Sequence, residues 1–341
     1  MSLARLIESH WYAPRRWLLC LLAPLSGLFV VLSALRRLLY RTGVLRAGHV
    51  PVPVVVVGNI NVGGVGKTPL TRYLVSELQV RGWQVGLISR GYGGRHRQPT
   101  PVLPDSDPAE VGDEPLLLAR AGCPLWVGRD RVATARALLA AHPEVDVILS
   151  DDGLQHYRLG RDVEIAVLDA ARGLGNGWRL PAGPLREGPR RLASVNAVVL
   201  NGEGSLPAGL PDHVPVFRMR LQPGMFWQLS APAEQRAAEE FKELDCVALA
   251  GIGHPERFFD TVRQLGIPLR QTLAFPDHHA FVPADVPVAG AVLVTEKDAV
   301  KLVACNNVTL WALPVSAGLE PDLADWLVHT LEGLPHGRQA A

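Results

Sequence analysis

Apolar residues follow two different patterns along the chain. Near the amino terminus, residues 17–35 form one continuous stretch without a formal charge. From residue 52 onward, short β-branched apolar runs alternate with segments of mixed polarity, such as the helical stretch 131–142. Short runs of this kind predict strands buried on both faces, and their alternation with helices predicts a parallel α/β sheet. The predicted strands are 52–60, 84–89, 124–128, 145–150, 163–170 and 196–202.

The amino-terminal stretch has the length of a membrane helix. About 20 apolar residues cross the core of a bilayer, and 19 residues without a charge are present here. Aromatic side chains, which favour the membrane interface, lie near both ends of the stretch. These aromatic residues are Trp11, Tyr12, Trp17 and Tyr40. We therefore predict a membrane-associated helix whose residues 15–40 contact lipid.

Several arrangements of this segment stay open. Pro24 and Gly27 interrupt the apolar stretch, so a helix lying in the interface is an alternative to one that spans the bilayer. A buried core helix is a further alternative. A cleaved signal peptide is disfavoured, because no small-x-small cleavage site follows the apolar stretch.

Composition and charge narrow the classes of function. The chain has 341 residues, 48% of them hydrophobic, which suffices for a large core and suggests two domains. Its 34 basic and 33 acidic residues nearly cancel, so we expect no nucleic-acid partner. Residues 1–50, however, hold seven arginines and one glutamate, which predicts contact with an anionic surface. The small excess of arginines after the apolar stretch places the folded domains on the cytoplasmic side.

The four cysteines argue for a reducing compartment. No two of them have C-x-x-C spacing, and one lies inside the apolar stretch. The sequence therefore indicates neither a disulfide framework nor a zinc site. They are Cys20, Cys123, Cys246 and Cys305.

A phosphate-binding loop is the strongest candidate for chemistry. The strand predicted at 52–60 runs into the glycine-rich segment 61–69, NVGGVGKTP, and then into an amphipathic stretch. This is the strand–loop–helix context of a P-loop, in which glycines let backbone N–H groups approach phosphate oxygens. An ordinary glycine-rich turn is the alternative, and Asn61 replaces the first glycine of the consensus. The predicted ATP-binding residues are Asn61, Gly63, Gly64, Val65, Gly66, Lys67 and Thr68.

Two acidic residues follow a buried strand of the same predicted sheet. The run 145–150 ends in Asp151 and Asp152. In a P-loop protein, Lys67 reaches the β- and γ-phosphates and the hydroxyl of Thr68 binds Mg²⁺. An acidic residue at a strand end then completes the magnesium site or holds a water. The sequence does not choose between the two aspartates, and an acidic strand end or helix cap is the alternative.

Two further charged segments have ordinary structural interpretations. Asp113 or Glu114 would cap the helix predicted after them, with Pro115 in its first turn. Arg186 and Glu187 end a loop rich in Pro and Gly, which composition alone equally describes as a surface turn.

The pattern changes at about residue 205. Residues 214–230 form two extended segments, which suits a hairpin or a two-strand linker. Strand-then-helix patterns at 245–253 and 290–302 predict a smaller α/β domain. Between them, Asp277-His278-His279 suits proton transfer or a surface loop better than a metal site, because adjacent side chains point in different directions. The predicted divisions are an N-terminal helix region (1–46), a P-loop domain (47–212), a two-strand linker (213–231) and a C-terminal α/β domain (232–335).

The motifs, taken in order, resemble one family. A basic-apolar N-terminal helix is followed by GNINVGGVGKTP, SRGYGG, GDEP, DDGLQH, LPAGPLRE, DHH and TEKDAVK. This ordered set, over about residues 10–305, resembles the tetraacyldisaccharide 4′-kinases of lipid A biosynthesis. The resemblance implies an α/β fold: a P-loop NTPase-like parallel-sheet domain with an N-terminal membrane helix and a smaller C-terminal α/β domain.

The resemblance also implies an activity. Such enzymes transfer the γ-phosphoryl group of ATP, with Mg²⁺, to the 4′-hydroxyl of a tetraacylated glucosamine disaccharide 1-phosphate. The product is the 1,4′-bisphosphate precursor of lipid A in lipopolysaccharide biosynthesis. We therefore expect ATP and Mg²⁺ as cofactors, the acylated disaccharide 1-phosphate and membrane lipid as partners, and no protein partner. The expected location is the inner membrane, with the catalytic domains facing the cytoplasm.

Individual positions match the motifs of the family. Lys67 and Thr68 match its P-loop, and Asp151 and Asp152 match its acidic pair near magnesium.

Four other positions match by the same resemblance. Asp113 matches the proposed general base, and His278 matches the histidine thought to orient that base. Arg186 and Glu187 match an active-site pair that supports catalysis or contacts substrate. With Lys67, Asp113 and His278 form the predicted catalytic set.

The main alternative is a P-loop ATPase switch that acts on a protein partner at the membrane. A nucleotide-sensing membrane anchor and a soluble small-molecule kinase with a core helix are two others. ATP consumption that depends on a lipid acceptor separates the lipid kinase from all three.

Overall fold

The computed structural model describes residues 3–207, 210–302, 305 and 310–335. Its α-helices are α1 (Leu3–Tyr12), α2 (Arg16–Arg41), α3 (Lys67–Val80), α4 (Pro108–Val111), α5 (Asp113–Ala119), α6 (Arg131–Ala141), α7 (Pro255–Gln264), α8 (Glu296–Leu302) and α9 (Leu323–Glu332). Its strands are β1 (Val54–Gly58), β2 (Val85–Ser89), β3 (Thr100–Pro101), β4 (Leu125–Val127), β5 (Val147–Asp151), β6 (Val163–Asp169), β7 (Ala197–Asn201), β8 (Val216–Pro223), β9 (Phe226–Gln228), β10 (Gln235–Arg236), β11 (Cys246–Ala250), β12 (Leu269–Ala274), β13 (Ala291–Thr295), β14 (Leu310–Leu313) and β15 (Val315–Glu320). Short 3₁₀ turns lie at Pro189–Ser194, Ala238–Phe241 and Pro283–Asp285.

The larger sheet has the strand order β15-β8-β7-β6-β1-β5-β2-β4-β3. The seven strands from β8 to β4 run parallel, and β15 and β3 are antiparallel to the strands beside them. The parallel α/β fold predicted from the apolar runs is therefore confirmed. Parallel strands place their carboxyl ends at one edge of the sheet, where ligands bind in open α/β folds.

Helices cover both faces of the larger sheet. Every residue of β1, β2, β5 and β7 is buried, which explains why these strands are continuous β-branched and aliphatic runs. Leucines of α3 and α9 fill the core on one face. Residues of α6, with Leu154 and Leu159, fill the core on the other face.

The smaller sheet has the order β10-β9-β14-β13-β11-β12. Its four strands from β14 to β12 are parallel, and β9 and β10 add antiparallel pairings at one edge. Phenylalanines of α7 pack on one face of this sheet, and α8 packs on the other.

The chain crosses between the two sheets more than once. The segment 213–231 contributes β8 to the larger sheet and β9 to the smaller one, so these strands do not form a hairpin. After β14 the chain returns, since β15 pairs with β8 and the leucines of α9 pack in the larger core. The predicted C-terminal domain, 232–335, includes β15 and α9, which therefore lie with the larger sheet and its core rather than with the smaller sheet. The division into separate folding units stays a prediction.

Helix α2 projects its apolar surface away from the protein. It continues through Pro24 and Gly27 and is long and apolar enough to cross a membrane, yet only 17% of its most apolar window is buried. Ser26 Oγ donates to the carbonyl of Arg179 at 2.9 Å and anchors the helix to the larger domain. The exposed large apolar side chains include Trp17, Leu21, Leu25, Leu28, Val31, Leu32, Leu35 and Leu38. A helix with this exposure does not fit the alternative of a buried core helix.

Candidate active site

The glycine-rich loop joins β1 to α3. Gly66 precedes the first turn of α3 with φ +92°, a conformation that a residue with a side chain rarely adopts. A Cβ at this position would also lie 2.4 Å from Asn201 Nδ2. The backbone therefore requires glycine where the loop turns into the helix. The start of α3 then faces the carboxyl edge of the larger sheet, as a phosphate-binding loop requires.

The ammonium of Lys67 lies between two oxygen acceptors. Its Nζ is 3.2 Å from Asn59 Oδ1 and 3.5 Å from Asp152 Oδ1. Val62 to Thr68 line one large cleft. Asn61 does not: it is buried, and its backbone forms a bridge to Leu185. Its assignment to ATP binding stays a prediction.

The two aspartates after β5 have different surroundings. Asp151 is buried, and its nearest side-chain partner is Thr71 Oγ1 at 3.5 Å. Burial raises the pKa of Asp151 to about 7, although the charge of Lys67 acts in the opposite direction.

Asp152 is paired with cations. It has φ +46°, and both of its carboxylate oxygens lie 3.2 Å from an Arg186 guanidinium nitrogen. Burial alone would raise the pKa of Asp152, but the charges of Lys67, Arg186 and Arg131 outweigh burial and hold it well below its usual range.

A buried arginine stabilises the turn that carries the two aspartates. The guanidinium of Arg131 donates at 2.6 Å to Ser150 Oγ, at 2.6 Å to the carbonyl of Asp151, and at 3.2 Å to the carbonyl of Asp152. Burial lowers the pKa of Arg131 to about 10, so the side chain remains charged near neutral pH. The Arg131 side chain therefore fixes the backbone that presents both aspartates.

Glu187 is held by several donors. It accepts hydrogen bonds from Tyr157 Oη and, at 3.1 Å, from Gln155 Nε2. Arg191 Nε lies 3.6 Å from its carboxylate, and Arg37 of α2 lies 3.9 Å away. Arg186 and Glu187 thus belong to one network, which runs from Asp152 to helix α2.

Asp113, at the start of α5, contacts His278, which follows β12 of the smaller sheet. Gly112, not Asp113 or Glu114, is the N-cap residue of α5, so the capping interpretation is wrong. Gly112 has φ +92°, and a Cβ there would lie 2.5 Å from the carbonyl of Tyr92. With Asp113 in the first turn, its Oδ2 lies 3.4 Å from His278 Nδ1. Two residues far apart in the chain are therefore neighbours, as the resemblance implies.

One cleft connects these parts. Its volume is about 2070 Å³, and it is lined by the P-loop, by Asp151, Asp152 and His278, and by the small-domain segment that includes Gly253. Phe29, Leu32 and Arg36 of α2 line it as well. The cleft therefore has one part lined by the glycine-rich loop and another part lined by apolar residues of the exposed helix.

The side chains predicted to hold Mg²⁺ suit a site that nucleotide phosphates would complete. In the described ranges, no three His, Cys, Asp or Glu side chains converge as a metal site. Mg²⁺ in phosphoryl-transfer sites is held by one or two carboxylates together with substrate phosphates and water. Asp151 is a buried carboxylate with one weak polar partner, and it lines the same cleft as Thr68, so these two side chains fit that donor set.

Several residues of the site carried no signal in the sequence. Asn59 contacts Lys67 from eight positions earlier in the chain, Arg131 contacts Ser150 from 19 positions earlier, and Asn201 contacts Val65 across 136 positions. Lys297 lies in TEKDAVK, one of the motifs that resemble the kinase family, but the spacing of residues predicted no partner for it. Their roles emerge only when the strand ends come together.

Comparison with known proteins identifies the family. A family model described as tetraacyldisaccharide-1-P 4′-kinase matches residues 18–332. The tetraacyldisaccharide 4′-kinase of Chromobacterium violaceum is 61% identical, over 98% of this chain and all of that protein. That of Dechloromonas aromatica is 51% identical, over 97% of this chain and 98% of the relative.

A solved structure agrees with the fold. The crystal structure of LpxK from Aquifex aeolicus in complex with ATP has a TM-score of 0.77 to this chain at 29% identity. The match covers 90% of this chain and 98% of the other. The resemblance seen in the ordered motifs is thus confirmed by sequence and by structure. This chain belongs to the tetraacyldisaccharide-1-phosphate 4′-kinase family.

Proposed function

We propose that this protein transfers the γ-phosphoryl group of ATP to the 4′-hydroxyl of a tetraacylated glucosamine disaccharide 1-phosphate. The observation that supports this proposal most directly is the contact of Asp113 with His278 at 3.4 Å, made between the predicted domains beside the P-loop cleft. A nucleotide switch needs the P-loop alone, whereas a kinase also needs a base for the acceptor hydroxyl.

The nucleotide side supplies charge neutralisation. Lys67 and the N–H groups of the P-loop bind the β- and γ-phosphates, and Mg²⁺ bound there supplies further positive charge for the transferred group. Thr68 and Asp151 are the residues that would hold Mg²⁺. Asp152 already pairs with Arg186 and Lys67, so we assign it to orienting these two cations.

The acceptor side supplies the base. Asp113 accepts the proton of the 4′-hydroxyl while that oxygen forms its bond to the γ-phosphorus. The bond from phosphorus to the β,γ-bridging oxygen breaks, and ADP leaves with the electron pair. His278 Nδ1 holds the Asp113 carboxylate in orientation through the observed contact. Phosphoryl transfer depends mainly on such positioning, because the protein forms no covalent bond to the transferred group.

Helix α2 would keep the enzyme at its lipid substrate. Its exposed leucines favour an apolar phase, and Arg36 and Arg37 lie toward its carboxyl end. Arginines close to anionic headgroups contribute roughly 1 kcal/mol each. We place the protein at the inner membrane with its catalytic domains in the cytoplasm, where ATP is available.

A transfer assay tests the proposal against its alternative. Purified protein is incubated with γ-labelled ATP, Mg²⁺ and tetraacyldisaccharide 1-phosphate in detergent. Label on the lipid, lost in Lys67→Ala, supports the kinase. ATP hydrolysis at wild-type level without label on any lipid would instead support a P-loop ATPase switch that acts on a protein partner.

A further inference from the structure

Lys297 binds two carboxylates that come from different domains. Its Nζ lies 3.0 Å from Glu114 Oε1 of α5 and 3.0 Å from Asp277 Oδ1 of the small domain. The lysine side chain is 17% exposed. Burial would lower the pKa of this ammonium, but the two carboxylates outweigh burial and raise it, so Lys297 stays charged.

Each of these carboxylates is next to one member of the catalytic pair. Glu114 follows Asp113 in the first turn of α5, and Asp277 precedes His278. Asp277 Oδ1 also accepts the backbone N–H of His278 at 3.0 Å. A shift of either carboxylate would therefore move the catalytic side chain beside it.

The backbone at His278 requires such support. Its φ is +59°, which costs free energy for a residue with a side chain and persists only when surrounding contacts hold it. The direct contact between Asp113 and His278 is long, 3.4 Å, and His278 is 31% exposed. A contact this long and partly exposed is too weak to fix the distance between Asp113 and His278 by itself.

Helix α8 is in a position to fix the distance between Asp113 and His278. It packs against α5, the helix that begins with Asp113. One residue before Lys297, Glu296 pairs with Arg72 of α3 at 2.9 Å, so α8 is tied to the large domain at two consecutive positions. Of these two ties, the one at Lys297 also reaches the segment that carries His278.

We propose that Lys297 is a positioning residue for phosphoryl transfer, which sets the separation of Asp113 and His278 by binding the carboxylate next to each. This inference rests on the proposed catalytic roles of Asp113 and His278. Lys297 itself touches neither the pair nor, in this assignment, the transferred phosphoryl group. Its effect should therefore appear in kcat and should depend on the presence of His278.

The first test is steady-state kinetics with the lipid acceptor. Lys297→Met should lower kcat about tenfold or more, because misplacement of reacting groups by about 1 Å slows the transfer step strongly. The KM for ATP should stay within about twofold of the wild-type value. Lys297→Arg keeps the charge and should retain clearly more activity than Lys297→Met. Equal activity of these two variants, or a loss confined to the KM for ATP, would overturn the proposal.

A double-mutant cycle separates positioning from general stability. In a His278→Ala background, Lys297→Met should lower kcat less than about threefold, since no pair remains to be positioned. The same fold-loss in both backgrounds would show that Lys297 acts independently of His278 and would overturn the proposal.

Two further variants keep the test independent of folding. Asp277→Asn weakens the ion pair of Asp277 with Lys297 by a change at an exposed residue, and should also lower kcat. This variant supplies the test if Lys297→Met does not fold. Arg270→Met removes the exposed pair of Arg270 with Asp245, 2.8 Å apart in the same domain, and should leave kcat at the wild-type value. Wild-type kcat in Asp277→Asn would overturn the proposal.

Asp113→Ala distinguishes this inference from the proposed function. If Asp113→Ala keeps wild-type kcat, the base assignment fails and the positioning role fails with it. If Asp113→Ala is inactive while Lys297→Met keeps wild-type kcat, the positioning role alone fails.

Discussion

Arg257 of α7, the helix that packs on the smaller sheet, donates to Asn201 Oδ1 at 3.0 Å, at the end of a strand of the larger sheet. Asn201 in turn donates from Nδ2 to the carbonyl of Val65 in the P-loop at 2.8 Å. Arg257 also pairs with the buried Asp169 at 3.3 Å. One chain of hydrogen bonds therefore connects α7 to the loop that is expected to bind phosphate.

This chain predicts an effect on nucleotide binding. Arg257→Ala should raise the KM for ATP about tenfold, because it removes a charged hydrogen bond to Asn201 and the cation that pairs with the buried carboxylate of Asp169. The measurement is the KM for ATP at saturating lipid. Arg263→Ala removes an exposed pair on the same helix and serves as the control. An unchanged KM in Arg257→Ala would show that the connection does not support the loop.

The two aspartates after β5 should respond differently to magnesium. Asp151 is buried, and no cation among the described residues is in salt-bridge contact with it, whereas Asp152 is paired with Arg186 and Lys67. Asp151→Asn should raise the Mg²⁺ concentration needed for half-maximal activity about tenfold, whereas Asp152→Asn should mainly lower kcat. Magnesium titrations of both variants check this. The opposite order would assign the metal to Asp152.

Arg131 should contribute to stability as well as to the shape of the site. Arg131→Met leaves Ser150 Oγ and the carbonyl of Asp151 without their donor and should lower the free energy of unfolding by about 3 kcal/mol. Urea unfolding measures the loss. Arg136→Met, at an exposed position of the same helix, should stay within about 0.5 kcal/mol of the wild type. Equal stability of the two variants would contradict this account.

Membrane binding should depend on the exposed face of α2. Replacing Leu21, Leu25 and Leu28 together by Ser should weaken binding to anionic lipid vesicles by more than about tenfold, because each buried leucine contributes about 1.5–3 kcal/mol. Co-sedimentation with vesicles measures the change. Leu103→Ser and Val288→Ser alter exposed apolar residues outside this helix and serve as controls. Unchanged binding of the triple variant would exclude α2 as the membrane contact.

The sequence predicted the central sheet well because parallel strands buried on both faces are unbroken apolar runs. It missed the return of β15 to the larger sheet, since this edge strand, VSAGLE, has one buried residue and no apolar run. The P-loop was visible because its chemistry lies in one continuous segment. The base and its histidine were visible only through family resemblance, because neither has a distinctive local pattern.

Other site residues had no signal that sequence reasoning could use. Lys297 acquires its role by meeting Glu114, 183 positions away, and Asn201 by meeting Val65, 136 positions away. Contacts over such separations follow from the order of strands and the packing of helices. A single chain read alone does not encode them locally.

The central claim is that Asp113 is the base for the acceptor hydroxyl. The most direct measurement is kcat for lipid phosphorylation by Asp113→Asn, together with its affinity for ATP. A lost base predicts a fall in kcat of about 100-fold or more, with ATP affinity within about twofold of the wild type. Wild-type kcat in Asp113→Asn would contradict the account, whatever the affinity for ATP.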